Sequence, residues 1–336
     1  MPIDRIGRII FETIERLELD LRGLVIVTEA ASGPFVVTPI IAATAGAARV
    51  VALTRTSSWA TSAAVVAGTR ALAKSLAVGG RIEITTRRRP SLFQQADIVT
   101  NLGFVRPIDA SMISLLPRGA VVALMCESWE FRPGDVDLVA CRQAGISVCG
   151  VNEEHPSVDV FGYSATLAAK LLLEAGIEVR GSRVAILGGD KFAPVIARGL
   201  RQMGACASIA RAFEEFEDTA LVRCDALMVA DYLAEGIVLG DGTGRPTSGL
   251  MRLDPSATIV QFAGRIDFAA LKRTGHRVFP GKVLGSHRML HTLAYLGPRP
   301  VVELHTAGLK SAEINLRCNR TSHRPGADWV GLVQPI

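Results

Sequence analysis

The feature that most constrains this chain is the rhythm of its short apolar runs. Residues 24–28, 50–54, 82–86, 98–101, 121–125 and 146–151 are rich in Val and Ile, and stretches of helix length at 34–47, 59–77, 109–116 and 135–143 lie among them. The runs are apolar on both faces, as strands are when helices cover both sides of a parallel sheet. Strands alternating with helices predict a doubly wound parallel sheet. A long linking helix over 158–175 ends at Gly176, and the rhythm then restarts. Strands are expected at 184–187, 208–211, 226–230, 258–262, 276–279 and 301–305, with a helix over 194–203. The stretch 236–250, with Gly236, Gly240, Gly242, Gly244 and Gly249, reads as a loop or a β-hairpin.

Hydrophobic residues at 49% and charged residues at 21% supply a core and exclude a disordered chain. A net charge of +5 over 336 residues permits an anionic ligand. It argues against nucleic acid, which calls for a clustered basic face with aromatic platforms. The one basic run, Arg87-Arg88-Arg89, precedes Pro90 and reads as a solvated loop. Near the N-terminus Ile3, Ile6, Ile10, Ile14 and Leu17 recur at three- and four-residue steps among many charges. That pattern predicts an amphipathic helix and not a signal peptide. The uncharged run 30–48 contains Gly33, Pro34 and Pro39, is too weakly apolar to span a membrane, and reads as a buried helix. A cytoplasmic protein without membrane contact is expected. The six cysteines show no C-x-x-C pair, and His287 and His291 stand four apart without further ligands nearby, so no metal site is expected.

Ligands of doubly wound sheets bind outside the carboxyl ends of the strands. The candidate loops are 28–33, 55–58, 101–106, 126–130 and 152–155 in the first half, and 188–191, Arg211, Asp231, 263–265 and 305–308 in the second. In the first half, Arg106, Glu127, Glu130 and His155 are candidate substrate-binding residues, with Trp129, Arg132, Asn152, Glu153 and Glu154 beside them. Buried carboxylates facing Arg106 suit a cationic or amino-bearing substrate, or an acid/base pair. In the competing reading Glu153 and Glu154 open the linking helix and complement its dipole. Arg55, with Ser32-Gly33 opposite, is a second and weaker nucleotide candidate.

Three stretches carry a family resemblance. Asp135-Val136-Asp137-Leu138 precedes Ala140-Cys141-Arg142-Gln143-Ala144-Gly145-Ile146-Ser147-Val148; Arg183-Val184-Ala185-Ile186-Leu187-Gly188-Gly189-Asp190 runs on to Gly204-Ala205; and Val302-Glu303-Leu304-His305-Thr306-Ala307-Gly308 follows. Over about residues 95 to 315 the chain resembles the D-isomer-specific 2-hydroxyacid dehydrogenases, with the adenosylhomocysteinases and dipicolinate synthase as more distant relatives. The resemblance implies two Rossmann-like doubly wound parallel-sheet domains with an interdomain cleft. The expected parts are an amphipathic helix over 1–20, a first (substrate) domain over 21–155, a linking helix over 156–179, a second (dinucleotide) domain over 180–305, and a helix and tail over 306–336 returning to the first domain. It further implies a homodimer, a small 2-hydroxy, 2-oxo or imino acid as substrate, and NAD or NADP as cofactor.

In that resemblance His305 is the general acid/base, Arg265 grips the substrate carboxylate, and Glu303 stands in for the family's glutamate, since no Asp or Glu occurs between Asp267 and Glu303. Gly188, Gly189, Asp190, Lys191 and Ala193 form the cofactor turn, and Arg211 suits a 2′-phosphate. The middle glycine of the fingerprint is Asp190, a carboxylate at a site meant for an anion, or else a helix cap. Asp190 keeps a rival open: a protein of the same fold without cofactor binding, acting as a ligand-binding or scaffold protein, or as a lyase or cyclase.

Overall fold

The computed structural model describes residues 3–241, 247–282, 284–321 and 326–336. It divides into two compact units, Met1–Val160 with Gly297–Ile336, and Phe161–Leu296. The first unit opens with α1 (Ile3–Arg16), β1 (Val25–Glu29), α2 (Val37–Thr44), β2 (Arg49–Leu53), α3 (Ser62–Ser75) and β3 (Ile82–Thr85). It continues with β4 (Ile98–Thr100), α4 (Ala110–Ile113), β5 (Val121–Ala123), α5 (Leu138–Ala144) and β6 (Ser147–Val151). The second unit holds α6 (Tyr163–Glu174), β7 (Arg183–Leu187), α7 (Phe192–Gln202), β8 (Cys206–Ala210), α8 (Asp218–Leu221) and β9 (Ala226–Ala230). After these come β10 (Ile237–Leu239), β11 (Thr258–Ala263), β12 (Arg265–Ile266), α9 (Phe268–Arg273) and β13 (Arg277–Phe279). The chain then rejoins the first unit as α10 (Pro298–Thr321) and β14 (Val333–Pro335).

Among the described residues the first unit carries a seven-stranded sheet in the order β14-β6-β5-β4-β1-β2-β3. It is parallel except for β14, which runs antiparallel to β6. The order reverses between β1 and β4, which makes that gap the topological switch point. The second unit carries a five-stranded parallel sheet, β13-β11-β9-β7-β8, whose order reverses between β7 and β9. Two doubly wound, Rossmann-like sheets are therefore present. The strands form where Val, Ile and Ala bury both faces: Ile26, Val27, Val50, Val51, Ile186 and Leu187 are enclosed. Short polar residues start the helices between them. Asp137 caps α5 by accepting from Ala140 N–H, Asp267 caps α9 through Ala270 N–H, and Gly145 ends α5 in the left-handed region at φ 69°.

Three expectations are corrected. The run 301–305 is not a strand: it lies within α10, a helix of 24 residues. Its neighbouring valines suggest β structure, but the helical period shows over a longer window, where Glu303, Thr306, Lys310, Glu313 and Arg317 recur at three- and four-residue steps. Residues 301–314 are buried almost without a break despite that stripe. Gly308 permits this burial, because a side chain there would meet Met125 Sδ at 2.6 Å and the Leu124 carbonyl at 3.2 Å. The second unit consequently ends at Leu296 and not at residue 305. Within 236–250 the structure forms neither a plain loop nor a hairpin: β10 pairs in parallel with β12, while residues 242–246 lie outside the described residues. The apolar face of α1 (Ile6, Ile9 and Ile10) is buried, and the helix packs on α2, α3 and α10. Among the described residues no helix is long and apolar enough to cross a membrane.

Candidate functional site

In the first unit the switch point is built around Glu29, the last residue of β1, which is 7% exposed. Phe104 N–H donates to Glu29 Oε2 at 2.8 Å. Burial pushes the carboxyl's pKa up, opposed by that hydrogen bond and by the nearby charges of Arg106 and Arg55. Arg106 follows β4 and is ion-paired with Asp135. Arg55 follows β2, is exposed, and lies 5.2 Å from the centre of the Phe104 ring. Gly103 separates the carboxyl from the Arg106 guanidinium: a methyl group there would stand 3.6 Å from Glu29 Oε2 and 3.8 Å from Arg106 Nη2. Sequence reasoning placed Arg106 correctly at a strand end but set it against Glu127 and Glu130. The structure brings it to Asp135 and Glu29 instead. The available signal for Glu29 was an acidic residue closing β1 after Val25-Ile26-Val27-Thr28.

Glu127 and its neighbours form a separate, internally bonded knot. Glu127 is fully enclosed, and its carboxylate accepts from Glu153 N–H at 3.1 Å, from the Trp129 indole N–H, and from Gln334 Nε2 at 3.4 Å. Glu130 Oε1 accepts from Glu127 N–H at 3.2 Å, completing a capping box on the single turn Ser128–Glu130. His155 is buried, stacks on Trp329, and accepts from Ser157 N–H at 3.3 Å through Nδ1. This knot ties the loops after β5 and β6 to the C-terminal strand, joining segments far apart in the chain that no local pattern connects.

In the second unit the turn between β7 and α7 occupies the switch point. Gly188 is indispensable there, since a Cβ would lie 2.0 Å from the Ala230 carbonyl oxygen. Gly189 has room, its nearest neighbour being Asp231 Oδ2 at 3.8 Å. Asp190 binds backbone: Oδ1 accepts from Phe192 N–H at 2.9 Å, and Oδ2 from Tyr232 N–H at 2.5 Å and Leu233 N–H at 3.2 Å. Burial pushes its pKa up against those three bonds, and Asp231 adds to the rise. Lys191 Nζ stands 5.0 Å from the centre of the Phe161 ring, and Ala193 is enclosed. Arg211 is exposed just past β8, and Arg265 is exposed on β12, which follows β11. His287, in the loop after β13, meets the Tyr232 ring edge-on at 5.9 Å.

His305 and Glu303 lie elsewhere than expected. His305 sits inside the first unit, 2% exposed, with Nδ1 2.6 Å from Thr38 Oγ1. Burial lowers its pKa to about 4, so the ring is neutral at pH 7. Glu303 pairs with Arg16 at 3.3 Å and Arg299 at 3.5 Å. On a strand the two residues would share a face, but on a helix positions two apart point roughly 200° away from each other.

No protein-family model matches the sequence, and no curated protein matches it. Solved structures do match in fold. A dipicolinate synthase polypeptide from Bacillus halodurans aligns with a TM-score of 0.52 at 12% identity, over 89% of this chain and 99% of that one. The D-mandelate dehydrogenase of Rhodotorula graminis aligns at 14% identity over 94% and 97%, with a TM-score of 0.43. The NAD-dependent formate dehydrogenase of Staphylococcus aureus, in complex with NAD, aligns at 11% identity over 91% and 98%, also at 0.43. At these identities the likeness is one of fold, and it rests on the first of the three.

Proposed function

We propose that the chain is an oxidoreductase using NAD or NADP on a small 2-hydroxy, 2-oxo or imino carboxylic acid. The observation that carries this reading is the β7 turn at the second unit's switch point, where Gly188 lets the backbone press against β9. Gly188, Gly189, Lys191 and Ala193 would hold the pyrophosphate, and the exposed Arg211 suits a 2′-phosphate. Asp190 is compatible with an anion in its neutral form, which its burial favours. A bound nicotinamide supplies the hydride chemistry, and the protein supplies orientation and charge. Arg265 is the proposed carboxylate grip, and His287, in place of the enclosed His305, the proposed proton carrier. The same reading takes the protein as a cytoplasmic homodimer, which light scattering tests.

One observation favours the rival, a non-redox protein of this fold. The Asp190 carboxylate already accepts the Phe192 N–H at the start of α7, together with two more N–H groups. Thermal-shift titration with NAD, NADH, NADP and NADPH separates the two. A dinucleotide at about 100 times its Kd stabilises the folded state by roughly 2.7 kcal/mol. Binding is expected to strengthen as pH falls and Asp190 takes up its proton. Asp190→Asn is expected to bind more tightly and to lose that pH dependence. Wild type and Asp190→Asn both inert at millimolar dinucleotide would end the oxidoreductase reading.

A further inference from the structure

The seven-stranded sheet of the first unit is closed at one end by β14 and ends at the other on β3, whose far side no strand covers among the described residues. Thr54 N–H donates to the Thr85 carbonyl at 3.0 Å. Thr85 and Glu83 therefore face β2, and the alternate residues Ile82 and Ile84 turn their backbone groups outward. Ile82 N–H is taken by the Gly79 carbonyl. The Ile82 carbonyl and both backbone groups of Ile84 have no partner among the described residues. The β8 edge of the second unit's sheet is blunted by contrast: its outward Ala207 carbonyl accepts from Arg201 Nε at 3.1 Å and Nη2 at 2.6 Å. Beside the β3 edge lies a groove of about 360 Å³, lined by Ala73, Ile82 and Ile84 together with Arg70 and Lys74 of α3. Arg70 and Lys74 stand one helical turn apart, are exposed, and make no hydrogen bond or ion pair among the described residues. Residues 49–96 hold eight arginines and lysines and one acid, Glu83, which Arg49 and Arg89 already pair.

We propose that the β3 edge docks an extended acidic segment of a partner protein, which adds to the sheet as a further strand and sets its carboxylates against Arg70 and Lys74. Main-chain hydrogen bonds to the outward groups of Ile82 and Ile84 supply the pairing, and alternate side chains of the added strand fall into the groove. Cations with no acid of their own take up carboxylates through charge-assisted hydrogen bonds. A glutamate on that face lays its methylenes on Ala73 and Ile82 and reaches the cations with its carboxylate. A second copy of this chain is the poorer occupant, because it would bring an identical basic groove to this one, and like charges set opposite each other destabilise a strand pair. The surface lies wholly within the first unit and stands whether or not the second unit takes a dinucleotide.

A capped peptide of alternating Glu and Thr, titrated into the full chain and followed by amide NMR, is the test, with alternating Lys and Thr as its control. Saturable shifts along Ile82–Thr85 and slower hydrogen exchange at Ile84 N–H are expected. The Lys peptide should bind at least about tenfold more weakly, the size of two exposed ion pairs lost and opposed. Residues on one face of a strand all point their N–H groups to the same side. Methylating the backbone nitrogens of either the glutamates or the threonines therefore separates edge pairing from plain charge attraction: one methylated peptide should be inert and the other should bind. Arg70→Glu combined with Lys74→Glu, both at exposed positions, should turn the preference toward the Lys peptide with the fold intact. Equal binding by the two methylated peptides would mark a general polyanion surface and overturn the proposal. So would an unchanged preference in the double variant, the absence of saturable binding, or a concentration-dependent dimer that protects Ile84 N–H without any peptide. None of these results bears on dinucleotide binding, which the thermal-shift series reads separately.

Discussion

At the scale of single residues, His305 shows how position outranks identity. A histidine sealed in the first unit, with a single hydroxyl partner, is a stability element with a pH signature. Its pKa is lowered from 6.5 to about 4 by burial, so between those values the unfolded chain binds more protons than the folded one. The stabilisation is therefore present above pH 6.5 and is lost as pH falls toward 4, where the loss reaches about 3 kcal/mol. Urea unfolding at pH 7 and pH 5 is expected to show wild type losing about 2 kcal/mol more than His305→Gln over that interval. Equal losses in the two proteins would contradict the assignment. Asp190 and Glu29 shift the opposite way. Each raised carboxyl favours the folded state at pH values below its own ionisation, and that contribution disappears as pH rises through it.

At the scale of elements, close approach of backbones decides where glycine is obligatory. The β7–α7 turn contains two adjacent glycines with unequal constraints. Gly188→Ala would drive a methyl group into the Ala230 carbonyl, at 2.0 Å, and β9 lies in the middle of its sheet and cannot move aside. A cost of about 3 kcal/mol or more is expected, at the upper end of overpacking penalties. Gly189→Ala meets nothing closer than 3.8 Å and is expected to stay within about 1 kcal/mol of wild type. Chemical denaturation of the two variants checks the contrast, and similar losses would refute it. Gly308 does for α10 what Gly188 does for the turn: it lets a buried helix lie directly on the strand β5 and the segment following it.

At the scale of the whole molecule, the chain leaves the first unit at Val160, completes the second by Leu296, and returns. The second unit is thus one continuous segment, while the first needs both ends of the chain. Its sheet is finished by β14, and its strands β5 and β6 are covered by α10. Residues 161–296 expressed alone are expected to unfold in one cooperative thermal transition. Residues 1–160 alone lack α10 and β14, expose the apolar faces these cover, and are expected to bind a hydrophobic dye or aggregate. A cooperative, dye-free 1–160 fragment would contradict this division.

Local pattern was enough for the alternation of strand and helix, the parallel sheets, and the turn after β7. All of these follow from periodicity and from the geometry of a chain that must bury both faces of its strands. The Arg55 and Arg106 loops were legible for the same reason, because strand ends are visible in sequence. The helix over 301–305 was within reach of the sequence too, since Glu303, Thr306, Lys310, Glu313 and Arg317 recur at helical steps, but five residues opening on two valines are too short a window to show it. Packing alone settles the partners of buried polar groups. His305 meets Thr38 across 267 positions, Glu127 meets Gln334 across 207, and Glu29 meets the Phe104 backbone across 75. Each of these side chains must find a partner when it leaves water, but which one it finds depends on distant segments that only packing brings together.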